Sequence, residues 1–397
     1  MPIKNNDFFK TKKPWSITKD ELLGCYLKPY FAKILTTRRD VCYIDCFAGK
    51  GKFDDGSKGS PLIASDILEQ CANSSTIQNT NIFAYFIELN YSKELEFNLS
   101  LYKHKSIHNE VINGKFEENI IDILKQNFDK NIFLYIDPYG IKAIDVDMFN
   151  NFLTCSKFYT IEILLNFNTF GFLREGCRIM KVHMEDIPEI TEYLYEYDPS
   201  TFKDINDMNK IAGGSYWQDI IKEYKDGKYN IYEAERKLSQ GIKKSFERAY
   251  KYVLDMPVYA SDNTNPKYRL FFMTNHSGGY LLMVDNMAKR SEIQQIRIRN
   301  GQVSLFDFDL NDEYYMKEEI IEKIGNITFN REIRLDSFLV KFYKENGIIC
   351  DNKTLKDLIK QSNKFEIRRE PSLTKTGKPS NFFDEKNGHK VFLRRKS

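Results

Sequence analysis

Apolar residues along the first third of the chain recur first at helical spacing and then in short unbroken runs. Over residues 18–36 (TKDELLGCYLKPYFAKILT) the spacing predicts a helix, with Thr18 placed to cap it. The runs VCYIDCF (41–47), IFAYFIEL (82–89), SIHNEVI (106–112), IFLYID (132–137) and YTIEILLNFN (159–168) predict buried parallel strands. A strand covered on both faces has no polar side to alternate with, and SIHNEVI fits that pattern least well. Helices are predicted between the runs at about 61–72, 91–103, 117–127 and 145–154. Ser60-Pro61 opens the first of these, because proline at the first helical position gives up no needed donor.

This alternation predicts a doubly wound α/β sheet. The rhythm breaks at 256–275, where MPVYASD and YRLFFMTN, joined through Asn263-Thr264-Asn265-Pro266, predict an antiparallel strand pair. Five parallel strands followed by such a pair make the seven-stranded mixed sheet of Rossmann-like class I methyltransferases rather than a dinucleotide-binding sheet. A long polar insertion at about 174–255 is expected to be mainly helical and to lie over the end where substrates bind. From about 310 the pattern changes to three helices (313–325, 332–346, 353–362) and two strands, KFEIRRE (364–370) and KVFLRRK (390–396). That order predicts a winged helix-turn-helix. The expected domains are therefore 1–300 and 310–397.

Charge sharpens the division. The formal net charge is +3, but residues 351–397 carry 13 Lys and Arg against 6 Asp and Glu, which leaves −4 for the rest. A basic end of this kind is a candidate nucleic-acid surface, for DNA or RNA. The aromatic share of 14% suits stacked bases and large cores alike and does not decide between them. No run approaches the ~20 apolar residues of a membrane span, and MPIKNNDFFKTKKPWS lacks an apolar signal core, so a cytoplasmic protein is expected. Cys42 and Cys46 share a strand face, yet both sit in an apolar run and read as small buried hydrophobes; no metal site is expected. No P-loop, metalloprotease motif or Ser-His-Asp pattern supports a hydrolase.

Candidate chemistry begins at Asp45-Cys46-Phe47-Ala48-Gly49-Lys50-Gly51, at the carboxyl end of the first strand, where open α/β sheets bind ligands. Glycines at 49 and 51 allow close backbone approach, and Asp45 supplies a carboxylate for a cationic amino group. The loop continues Lys52-Phe53-Asp54-Asp55-Gly56, whose carboxylates repel a pyrophosphate; S-adenosylmethionine, which has none, fits better than NAD. Glu88, ending the second strand, is placed to accept from ribose hydroxyls, or is a solvated strand end. Gly114-Lys115-Phe116 offers either an aromatic beside an adenine or a plain turn. Asp137-Pro138-Tyr139-Gly140, ending the fourth strand, approximates the [D/N]-P-P-[Y/F] motif of amino-methyltransferases. There a carboxylate and a proline carbonyl hold an exocyclic amino group, and the aromatic stacks on an unstacked base. The second proline is missing here, so a strand-end turn is the competing reading. Asn166 and Asn168 are candidates for substrate contact or for capping, and His276 receives no catalytic role.

YIDCFAGKGKFDDGSKGSPLIAS, FLYIDPYG, GGSYWQDII (213–221) and YRLFFMTNHSGGYLLMVDNMAK (268–289) together resemble the three-Cys-motif partner (TcmP) proteins over about 15–290. The resemblance implies a methyltransferase-like fold, often followed by a winged helix. It also implies a bacterial genomic partner of phage type that carries the three cysteines. Lys19 matches a family position, which implies reach to the cofactor; a solvent-facing lysine is the alternative. The leading expectation is a methyltransferase that uses S-adenosylmethionine on nucleic acid. A non-catalytic binder of cofactor or partner, and a methyltransferase of protein or small molecules, are the alternatives.

Overall fold

The computed structural model describes residues 9–74, 80–138, 140–141, 144–184, 204–259, 266–300, 310–374, 376–385 and 388–396. They fall into two compact units, Met1–Asn275 and His276–Ser397.

The first unit opens with α1 (Pro14–Ile34). Its start differs from the expectation: Lys13 is the cap residue, Pro14 takes the first turn, and Thr18 is buried inside the helix. Proline pre-sets the first-turn geometry, so the helix begins a turn earlier than the apolar pattern implies. Leu22, Leu23, Tyr26, Leu27, Tyr30 and Phe31 form the buried face of α1. The five expected strands are β1 (Val41–Asp45), β2 (Ile82–Glu88), β3 (Ile107–Asn113), β4 (Asn131–Ile136) and β5 (Thr160–Phe167). Between them run α2 (Ser60–Ala72), α3 (Ser92–Leu99), α4 (Phe116–Lys125) and α5 (Val146–Cys155). β1 and β4 are buried at every position, as their unbroken apolar runs require. β3 alternates between half-buried and exposed positions, because it forms one edge of the sheet.

β6 (Tyr252–Tyr259) and β7 (Pro266–Thr274) form the antiparallel pair, and β6 begins four residues before the expected MPVYASD. The turn assigned to Asn263-Thr264-Asn265 lies outside the described residues. The strands assemble in the order β3-β2-β1-β4-β5-β7-β6, parallel except for β7, which runs antiparallel to both β5 and β6. This is the strand order typical of class I methyltransferases. It reverses between β1 and β4, and ligands of open α/β sheets bind in the crevice beyond such a reversal.

The insertion holds α6 (Thr169–Ile179), α7 (Ile205–Ala212), α8 (Tyr216–Lys225) and α9 (Ile231–Phe246). Polar as its sequence reads, it is a packed layer: Trp217, Ile221, Leu238, Ile242 and Phe246 join one core with Ile163, Phe271 and Met273 of the sheet. At the opposite side of the strands, Tyr26 of α1 donates to Glu162 Oε2 (2.5 Å) and Thr274 of β7 donates to Glu162 Oε1 (2.7 Å). That carboxylate ties helix, β5 and β7 together, and burial raises its pKa to about 7.

The second unit contains α10 (Ser277–Asn300), α11 (Leu310–Asn326), β8 (Ile333–Arg334), α12 (Leu335–Asn346), α13 (Asn352–Gln361), β9 (Phe365–Glu370) and β10 (Lys390–Arg395). Helix α10, read from sequence as the end of the first domain, is grouped here. The three strands form an antiparallel sheet in the order β8-β10-β9. Phe365, Val391 and Leu393 of the sheet and Phe338, Phe342, Leu355 and Leu358 of α12 and α13 are buried. Asp351 caps α13 by accepting from the Thr354 amide at 2.7 Å.

Candidate active site

β1 hands the chain to a loop that turns twice through left-handed backbone, at Gly49 (φ 62°) and Gly51 (φ 79°). Only glycine adopts these angles without strain. The loop is pinned at several points. Ala48 N–H donates to Ile87 O (3.1 Å), Gly59 N–H donates to Gly51 O (2.8 Å), and Asn98 Nδ2 donates to Lys50 O (2.8 Å). A Cβ at Gly51 stands 3.0 Å from Leu95 Cδ1. Gly51→Ala is therefore expected to lose about 1–3 kcal/mol in denaturant unfolding, through positive φ and crowding together. A loss below about 0.5 kcal/mol would mean the loop relaxes freely.

Glu88 sits where the sequence placed it, at the end of β2, but it is buried and its oxygens are already engaged. Oε2 accepts from Gly49 N–H at 2.8 Å, and Oε1 accepts from Asn90 N–H (2.8 Å) and Tyr91 N–H (3.2 Å). It is not a solvated strand end; it staples the glycine loop to the β2–α3 turn. Three of about four lone-pair positions are used, which leaves at most one for a ligand hydroxyl. Beside it Leu89 is 51% exposed. Phe116 is a core residue, 2% exposed and packed against Phe47 (5.2 Å) and Phe149 (5.8 Å), so it does not face an adenine.

One cavity collects most of the other candidates. Its wall includes Phe47, Gly49 and Gly51 from the loop, Ser60 at the start of α2, Asp137 and Pro138 beyond β4, Lys19 and Asp20 from α1, and Tyr268 from β7. Pairing in the sheet explains the convergence: Asp45 lies opposite Tyr135, two residues before Asp137. Tyr139 lies outside the described residues.

Asp137 is the most connected group. Lys19 Nζ donates to both carboxylate oxygens, at 2.8 and 2.7 Å, Asn166 Nδ2 donates to Oδ1 at 2.7 Å, and Tyr135 OH donates to Oδ2 at 3.3 Å. Lys19 is buried, with its Nζ 5.0 Å from the centre of the Tyr268 ring, so the solvent-facing alternative fails. Of the two asparagines that end β5, Asn166 belongs to this cluster. Asn168 caps α6, accepting from Gly171 N–H at 2.7 Å. His276 is the first residue of the second unit.

Asp45 lies beneath the loop, fully buried and off the cavity wall. Burial lifts its pKa to about 7, and the charges of Asp137 and Asp20 add to the rise, against the Ser60 hydroxyl and Phe47 amide that stabilise the carboxylate. Asp20 rises to about 6, chiefly by burial, despite its ion pair with Lys12 at 2.5 Å. Asp20 and Asp137 thus share the cavity wall with Lys19, with Asp45 buried behind it. The sequence does not single out Asp20 or Tyr268 as site residues. Asp20 adjoins Lys19 and had a local signal; Tyr268 had none, because it reaches the site only through the pairing of β7 with β5.

No family model and no curated protein matches this chain. Two solved structures show a distant likeness. One, titled "The structure of PKMT2 from Rickettsia typhi", is 12% identical with a TM-score of 0.30, covering 86% of this chain and 72% of that one. The other, titled "Loganic acid methyltransferase with SAH", is 8% identical with a TM-score of 0.24, covering 98% and 99%.

Proposed function

We propose that this protein is an S-adenosylmethionine-dependent methyltransferase acting on nucleic acid, with an amino group as acceptor. The observation that carries the reading is the convergence, at the β1/β4 reversal of a class I sheet, of a double-glycine loop and the Asp137-Pro138 strand end on one cavity. Asp45, Phe47, Gly49, Gly51 and Glu88 form the cofactor side. Charge supports the same reading. S-adenosylmethionine carries a sulfonium, an ammonium and a carboxylate, net +1, and the site sets Asp20, Asp45 and Asp137 against Lys12 and Lys19. Methyl transfer removes the sulfonium charge, so the by-product is held less tightly than the cofactor. Asp137 and Pro138, with Tyr139 following, form the acceptor side.

The nucleic-acid part rests on the second unit. From α11 onward its order, helix, strand, two helices and a two-stranded hairpin, supports a winged helix. Part of its basic charge is spent internally: Arg368 pairs with Glu332 and Glu370, Arg334 with Glu385, and Lys356 with Asp384. Lys353 and Lys378 remain exposed with no ion pair among the described residues, and Arg394 is exposed near Glu332, whose carboxyl its charge helps hold low. The likeness to three-Cys-motif partner proteins further supports a protein partner carrying that motif.

The test has two arms, both on the full chain. Calorimetric titration with S-adenosylmethionine should give saturable heat; silence overturns the cofactor reading. Tritiated methyl groups should pass to DNA or RNA, and Asp137→Ala should abolish transfer while weakening cofactor binding far less. Replacing Lys353, Lys378 and Arg394 with Ala should flatten the dependence of nucleic-acid affinity on salt, by about 0.9 in log–log slope for each duplex phosphate no longer neutralised. Label that appears only in protein or small molecules sinks the nucleic-acid assignment.

A further inference from the structure

We infer that Lys19 occupies, in the free protein, the seat of the acceptor nitrogen against Asp137, and that the acceptor is a primary amino group that takes this seat when Lys19 withdraws. The inference rests on the methyltransferase reading and deepens it by assigning Lys19 as the placeholder for the acceptor nitrogen.

The Asp137 carboxylate is oriented without help from Lys19. Asn166 holds Oδ1 at 2.7 Å, and Tyr135 reaches Oδ2 at 3.3 Å from the same strand. What remains of its accepting capacity points at one nitrogen, Lys19 Nζ, which serves both oxygens at 2.8 and 2.7 Å. An atom in that position needs at least two hydrogens. An amino group has them, while a hydroxyl has one and leaves one oxygen unserved. The Tyr268 ring, 5.0 Å from Nζ, adds a π face that favours a cation there. Pro138 and the backbone at Gly49 and Gly51 line the same cavity, so the seat and the cofactor loop share one volume.

Lys19 is suited to yield. Its charge sits on a flexible four-carbon stem, unlike the rigid fork of an arginine. While it is in place it neutralises Asp137, so the partly buried carboxylate keeps a counter-ion in the free protein. The incoming amine replaces it one for one. An amine arriving as ammonium first gives one proton to water by way of Asp137. Its lone pair then forms the N–C bond to the methyl group, and the C–S electron pair stays on sulfur. The products are the methylated ammonium and S-adenosylhomocysteine.

The test is chemical rescue in the full chain. Lys19→Ala removes Cγ, Cδ, Cε and Nζ, which n-propylamine replaces atom for atom. With S-adenosylmethionine and n-propylamine this variant should form N-methylpropylamine at least tenfold faster than wild type, whose seat is filled. Adding Asp137→Ala should abolish the product. If Lys19→Ala does not fold, Lys19→Met keeps the buried stem and drops the ammonium; ammonium chloride is then the probe and methylamine the product. Calorimetry on the same variant separates the two readings. Cofactor binding together with saturable thermal stabilisation by the amine, but without methylated amine, overturns the acceptor seat and leaves the cofactor reading intact; Lys19 is then a fixed counter-ion. Failure of both wild type and variant to bind the cofactor overturns both.

Discussion

Asp45→Asn is expected to make the fold more stable above pH 7 and cofactor binding weaker. Asp45 has no exposed surface, and burial raises its pKa from 3.8 to about 7. The folded protein therefore keeps a proton between about pH 4 and 7 that the unfolded chain has released. Stability contributed at this site is present at low pH, falls as pH rises through that window, and is flat beyond it. Asparagine cannot ionise, and its side-chain oxygen can still accept from Phe47 N–H and the Ser60 hydroxyl. The variant should thus gain stability on the order of a few kcal/mol at pH 8 and little or nothing at pH 4. Urea unfolding at the two pH values measures this; equal gains at both exclude ionisation as the cause. For the cofactor the sign reverses. A cationic ligand favours ionised Asp45, so wild-type affinity should rise from pH 5.5 to 8 with protons released on binding, visible as a dependence of the heat on buffer. The carboxylate acts from beneath the loop rather than from the wall, so Asp45→Asn should weaken binding by about tenfold, roughly 1.4 kcal/mol, and remove the proton release. Unchanged affinity and unchanged proton release in the variant would remove Asp45 from the site.

Arg269→Ala should destabilise the first unit by about 3–5 kcal/mol, the cost of leaving a buried ion without its partner. Arg269, on β7, forks onto Glu235 of α9 at 2.8 and 3.0 Å and reaches Asp255 of β6 at 2.8 Å. Glu235 is 1% exposed and also accepts from Thr169 (2.8 Å) and Ser239 (2.9 Å). Lys243 stands 3.3 Å from Asp255, so that carboxylate keeps a counter-ion while Glu235 keeps none among the described residues. Arg269→Lys should recover only part of the loss, since one ammonium cannot serve both carboxylates in fork geometry. Adding Glu235→Gln to Arg269→Ala should return part of it, because the uncompensated charge is gone. Trp217, fully buried in α8 and one of 2 tryptophans, reports the transition by fluorescence. A loss below 1 kcal/mol would show that water reaches Glu235 when the arginine is removed.

How far each residue was legible depended on how far away its partner lay. The five strands, the β1 loop and the Asp137 strand end were readable because apolar runs and turn chemistry are local properties. Proline at 14 moved the start of α1 past Thr18, a local signal outweighed by another local signal. Phe116 and the insertion helices read as candidates for a ligand and for a polar cover. They are core, because hydrophobic surface goes to whatever layer the sheet leaves bare. Glu88 was placed correctly at a strand end, yet its three backbone donors come from two loops that only folding brings together.

By itself the sequence determined which segments are strands, where glycine must turn the chain, and which carboxylates stand at strand ends. Periodicity and positive φ are properties of neighbours along the chain. Only the tertiary structure decided the order β3-β2-β1-β4-β5-β7-β6, and with it the crevice between β1 and β4. It also decided that Lys19 meets Asp137 across 118 residues and that Asp45 lies beneath its loop rather than on the wall. Long polar side chains choose partners by what packing places within about 3 Å of them, and that distance is set by the sheet rather than by spacing along the chain.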